Sequence, residues 1–233
     1  MPRIALTNGS RLTSPLILAS LTALAVSASI GCSGVRPLHV VHDHALQEVK
    51  AGNYLVAAAD YEEYLERKPD EVNVRYELGQ TYLAMKEPVK ARQQLAVAYD
   101  IDPTNENVID ARAEAHYQAK EYQQLSEFLR RLSSERGTVR DFLRLGDYAG
   151  RMGNADEAAL ALKNAAVLDE GQTVAPQIAL ADFYKLHNDR ANQVRRLRMA
   201  LFIEPKNKPV LSRLLAMGEI PGPSLALRPE EAR

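Results

Sequence analysis

Residues 72–105 read VNVRYELGQTYLAMKEPVKARQQLAVAYDIDPTN, and this stretch decides the fold. A short break at Met85-Lys86-Glu87 separates two predicted helices, 72–85 and 88–100. Pro88 suits the first turn of the second helix, where no intrahelical donor is needed. Pro103 marks its end, because proline disfavours helix in the residue before it. Two antiparallel helices approach closely only where neither carries a bulky side chain, so Gly79 and Ala91 belong at their crossing. Leu95 then fills the space around it. Enlarging Ala91 to Leu should overpack that crossing and cost about 1–3 kcal/mol.

The pattern recurs along the chain. A small-residue column reads Ala45, Gly79, Ala113, Gly146 and Ala181, at spacings of 34, 34, 33 and 35. In the same register run Ala57, Ala91, Leu125, Ala158 and Gln193, then the apolar column Tyr61, Leu95, Leu129, Leu162 and Leu197. A fourth column, Tyr64, Ala98, Leu132, Ala165 and Ala200, is apolar and mostly small, and its Ala98, Ala165 and Ala200 let the next unit's first helix dock. A repeat of this length signals a stack of supersecondary units, each hiding its apolar side only against its neighbours. Five units follow, near 38–71, 72–105, 106–138, 139–173 and 174–207. Their predicted helices span 39–50, 54–67, 72–85, 88–100, 106–118, 122–134, 139–151, 155–169, 174–187 and 190–203. A further helix, Pro209 to Met217 within 208–218, should cap the last apolar face. Residues 219–233 hold three prolines and are expected to be a disordered tail.

With Leu78-Gly79, Tyr82, Ala91, Leu95, Ala98 and Pro103 in place, the chain resembles the tetratricopeptide-repeat family over about residues 38–205. The family's Trp position is held by Val41, Arg75, Ile109, Phe142 and Gln177, and unit three departs furthest, with His116 and Leu125. The resemblance implies an all-α solenoid whose first helices line a concave groove. By register the groove residues are Tyr76, Gln80, Asp110, Glu114, Tyr117, Arg140, Asp147, Arg151, Asp182 and Lys185. His42, Leu46 and Val49 would extend it into unit one. Glu114, Asp147 and Asp182 hold equivalent places and should form an acidic row, partly paired with Arg151 and Lys185. Tyr76 and Tyr117 are the expected anchors, since exposed aromatics concentrate binding energy. The family's Lys/Asn clamp for a C-terminal carboxylate is absent from these positions.

Composition excludes several classes. The 233 residues are 46% hydrophobic and 25% charged with a net charge of −1. That suits a folded protein without broad attraction for nucleic acid. No Gly-x-Ser-x-Gly elbow, phosphate-binding loop or His-Glu-x-x-His pattern occurs, so no enzyme, cofactor or small-molecule substrate is expected. His39, His42 and His44 cluster with Asp43, yet a solvated helix start is favoured over a metal site.

Arg3 and Arg11 followed by the apolar run 12–31 form a secretory signal over residues 1–31. The run ends at Ile30-Gly31-Cys32-Ser33, which looks like a bacterial lipoprotein processing site, although Ser29 stands where that family carries an apolar residue. Three outcomes remain open: lipidation of Cys32, which is favoured, cleavage after Ala28, or an uncleaved anchor. With Cys32 lipidated, residues 32–37 form a tether holding the first helix within roughly 20 Å of a bilayer. The expected function is a non-enzymatic scaffold, exported to the cell envelope and lipid-anchored, that holds a protein or peptide partner. The alternative is a periplasmic assembly chaperone.

Overall fold

The computed structural model describes residues 35–222 and 224–232. Among them run eleven helices and no strand. Unit one holds α1 (Leu38–Ala51) and α2 (Tyr54–Arg67), and unit two holds α3 (Val72–Ala84) and α4 (Pro88–Ile101). Units three and four hold α5 (Glu106–Gln118), α6 (Tyr122–Glu135), α7 (Val139–Arg151) and α8 (Ala155–Asp169). Unit five is α9 (Ala175–Leu186) and α10 (Arg190–Ile203), followed by α11 (Lys208–Ala216). Each helix lies within two residues of its sequence-predicted span. Cys32 and the signal segment 1–31 lie outside the described residues.

The register columns become packing. Ala45, Ala113 and Ala181 are fully buried, as are Leu95, Leu129 and Leu197. A Cβ on Gly79 would sit 2.6 Å from Leu95 Cγ, and one on Gly146 would sit 2.5 Å from Leu162 Cδ2. A side chain at either place would force that leucine to move, so glycine gives the closest approach where α3 meets α4 and α7 meets α8. The tightest approach thus runs from the small column to the large apolar column sixteen residues later.

Every first helix ends alike. The left-handed residue is Gly52, Lys86, Lys120, Gly153 or Asn188. The following N–H donates back across the last turn, as in Asn53 N to Glu48 O (2.8 Å) and Glu87 N to Tyr82 O (2.8 Å). Glycine and asparagine fit this conformation, but units two and three place lysine there, at φ 62° and 60°. Helix α11 ends the same way, with Gly218 left-handed and Glu219 N donating to Leu214 O. It resembles a sixth first helix, and among the described residues no second helix follows it.

The segment after α11 departs from the expected disordered tail. Leu225 and Pro229 are buried, and Leu225 joins Leu197, Ala200, Leu201, Val210 and Leu214 in one apolar cluster. Leu227 N donates to Arg198 O, and Arg198 donates to the carbonyls of Ser224 and Leu225. Glu231 accepts from Arg196 at 2.5 Å, while Glu230 accepts from Arg195 at 2.7 Å. Prolines disfavour helix without forbidding a docked extended strap.

Candidate interaction face

First helices of successive units meet, α3 against α5 and α7 against α9. Two hollows open between first helices. One, of about 290 Å³, lies between α1 and α3 against Leu46, Val49, Tyr61, Tyr76, Gln80 and Ala84. The other, of about 280 Å³, lies between α7 and α9 against Gly146, Gly150, Leu162, Ala179, Phe183 and Leu186.

Unit three forms a ridge between them. Tyr117 is half-buried, with ring centroids 5.8 Å from Tyr148 and 5.7 Å from Tyr122. The Arg151 guanidinium lies 3.9 Å from the Tyr117 centroid and 4.6 Å from that of Tyr148. Arg151 also donates to Glu114 at 3.0 Å, and Tyr148 Oη donates to the same carboxylate at 2.9 Å. Burial works against the Glu114 charge, but hydrogen bonds from Arg151, Gln118 and Tyr148 outweigh it and hold its carboxyl below the usual range.

Two expectations are corrected here. Tyr76 and Tyr117 are half-buried rather than exposed: Tyr76 packs on the core of units one and two and borders the first hollow, and Tyr117 is wedged between aromatic rings. The acidic row is broken by cations from the following unit. Glu114 is held by Arg151, and Asp182 by Arg213 of α11 at 2.5 Å rather than by Lys185. Asp147, 64% exposed in its side chain and 3.6 Å from Arg151, is the most open of the three. Gln80 and Lys185 are exposed.

Asp110 and Arg140, also expected in the groove and 46% and 54% exposed in their side chains, take part in an ionic seam between units three and four. Arg144, its side chain 4% exposed, donates to Glu106 (2.8 Å), Asp110 (2.6 Å) and the fully buried Asp141 (2.9 Å). Arg140 reaches Asp110 at 2.6 Å, and Arg136 bonds Glu106 and lies 3.3 Å from Asp141. Asp141 also closes a capping box with Thr138 at the start of α7. Burial pushes the Glu106 carboxyl up, but hydrogen bonds from Arg144 and Arg136 bring it below the usual range.

Two of the three histidines of α1 are tied to carboxylates, while His39 is exposed. His44 Nδ1 lies 2.5 Å from Asp60, and His42 Nε2 lies 2.6 Å from Glu77. Arg36 donates to the same Asp60 at 2.7 Å. Two family Trp positions carry swapped polar pairs with the residue nineteen later: Arg75 donates to Gln94 (2.8 Å), and Gln177 accepts from Arg196 (3.0 Å). A search limited to apolar columns does not see such pairs. No cluster of metal ligands occurs among the described residues, and no described helix is long and apolar enough to cross a membrane.

Residues 42–106, from α1 to the start of α5, match the tetratricopeptide repeat family. No curated protein sequence matches the chain significantly. Among solved structures, the MamA protein is similar at 21% identity and TM-score 0.54, over 74% of this chain and 94% of that one. A thermophilic repeat protein of Thermus thermophilus is similar at 19% identity and TM-score 0.53, over 77% and 98%. PilF of Pseudomonas aeruginosa is similar at 18% identity and TM-score 0.53, over 78% and 84%. At these identities the likeness is one of fold, and the chain folds as a tetratricopeptide-type, all-α repeat solenoid.

Proposed function

We propose that the chain is a non-enzymatic protein-interaction scaffold that is exported, anchored through a lipidated Cys32, and holds a peptide or protein partner along the first-helix face. The observation that carries the groove reading is the pair of hollows flanking the Tyr117–Arg151 ridge, each about the size of one large side chain. Repeat solenoids use extended faces of this kind for binding. The anchor reading rests on the sequence around Cys32 alone.

A photo-crosslinking residue at Gln80 or Asp147 should capture a partner in cells, while one at Glu66 of α2 should not. Capture from Glu66 alone would move the interface to the second helices. A single partner in fixed proportion supports the scaffold; a ladder of many weak adducts supports the transient chaperone. Labelled palmitate should enter the full chain and vanish in Cys32→Ser; labelling that persists in the variant would remove the anchor.

A further inference from the structure

Two glycines of α7 face the second hollow, and only one sits at a close approach. At Gly146 a Cβ would lie 2.5 Å from Leu162 Cδ2, so a side chain there would have to displace that leucine. Gly150 has room: a Cβ there would meet only Ala158 Cβ, at 3.8 Å, an ordinary contact, and its φ needs no glycine. Glycine in a helix is weaker than alanine, because it loses more backbone freedom on folding. The chain thus carries a cost at Gly150 that its own packing does not require. In the repeat register the same position holds Val49 in unit one, Leu83 in unit two, Tyr117 in unit three and Lys185 in unit five. Gly150 alone leaves the groove column empty, and that vacancy opens the hollow between α7 and α9.

The surroundings define what would fill it. The floor is buried Leu162, and the outer wall is Leu186, 77% exposed. Asp147 and Asp182 stand at the mouth with side chains 64% and 55% exposed. Arg151 is committed to Glu114 and stacked on two tyrosines, and Arg213 of α11 holds Asp182, so Asp147, 3.6 Å from Arg151, is the most open carboxylate there. The opening therefore favours positive charge beside an apolar side chain.

Resting on the groove reading above, we propose that Gly150 keeps this hollow open for one large apolar side chain of the partner. In that arrangement a neighbouring lysine or arginine of the partner meets Asp147. The partner segment is basic and apolar, unlike the acidic C-terminal peptides that a carboxylate clamp would take.

The test uses the full chain and short fluorescein-labelled peptides in which one phenylalanine is flanked by lysines. Burial of one aromatic side chain predicts roughly tenfold or greater weakening when phenylalanine becomes alanine. Similar weakening is expected when the lysines become glutamates, and in the protein variants Gly150→Leu and Asp147→Lys. Gly150→Leu should melt no lower than the parent, which separates a filled hollow from a misfolded chain. Gly150→Ala, melting no lower, and Leu186→Ser, at an exposed position, give independent checks on the same hollow. Equal binding of the glutamate peptide, abolished by Gly150→Leu, would overturn the basic occupant while leaving the groove in use. Unchanged binding to Gly150→Leu, or no binding of the lysine peptide, would overturn the proposal. Crosslinking from Asp147 to a cellular partner would in that case still uphold the scaffold reading.

Discussion

The helix pair of unit two and the seam between units three and four hold the chain together by opposite means. In unit two, Gly79 admits Leu95 to the backbone of α3 and the contact is apolar and steric. At the seam, Arg136, Arg140 and Arg144 interleave with Glu106, Asp110 and Asp141 across 30 to 38 residues of sequence at the longest links. The first kind of contact belongs to the repeat and recurs at Gly146 and Leu162. The second belongs to one junction. A solenoid needs the first everywhere, whereas the second decides how firmly two particular neighbours are joined.

The largest effect should come from breaking the steric contact. Gly146→Val places a branched side chain where even a Cβ lies 2.5 Å from Leu162 Cδ2. Thermal or denaturant unfolding should show a loss of about 3 kcal/mol. Leu162→Ala in the same chain should return part of it, and simple additivity of the two losses would contradict the contact.

Next comes the seam. Arg144→Met leaves the buried Asp141 with Arg136 and Thr138 only; because these remain and Glu106 and Asp110 stay 30% and 46% exposed, the loss should be about 2–3 kcal/mol rather than the full cost of a buried orphan. The pH dependence sharpens this comparison. Glu106 is held below its unfolded value, so its contribution is present above roughly pH 4.3 and is lost as pH falls through the lower folded value. Acid unfolding of Arg144→Met should therefore be shallower in that window, whereas Gly146→Val should keep the parent slope.

The strap after α11 combines both kinds of contact. Removing residues 219–233 exposes the apolar cluster around Leu214 and strips Glu231 from Arg196. Burial of Leu225 alone predicts a loss of about 2 kcal/mol, read as a lower melting temperature. An unchanged melting temperature would show that the strap adds nothing to the cap that α11 provides.

The smallest effect is a gain. Lys86 sits in the left-handed region where unit one has Gly52, so Lys86→Gly should stabilise by roughly 0.5–1 kcal/mol. A loss instead would mean that Lys86 makes a contact worth more than its strain.

Legibility follows the same division. Helix ends and the small and large columns were readable because steric fit repeats with the chain and proline and glycine punctuate it. The ionic seam was not, because Glu106 and Arg144 stand 38 residues apart and recur in no other unit. Asp110 and Arg140 therefore read as groove residues without their part in the seam being visible. Tyr117 read as exposed because register gives the face of a helix but not what a neighbouring Tyr148 and Arg151 stack upon it. The strap was hidden behind Pro221, Pro223 and Pro229; the signal that would have found it is Leu225 and Leu227 followed by two glutamates, in a chain whose α10 presents Arg195, Arg196 and Arg198.

Amide hydrogen exchange on Gly146→Val, followed helix by helix, tests the central claim most directly. In a stack whose units contact only their neighbours, protection should fall in α7 and α8 and in the helices packed on them, while α1 and α2 keep that of the parent. Equal loss of protection in α1 and α7 would mean one shared core, and would contradict a repeat solenoid.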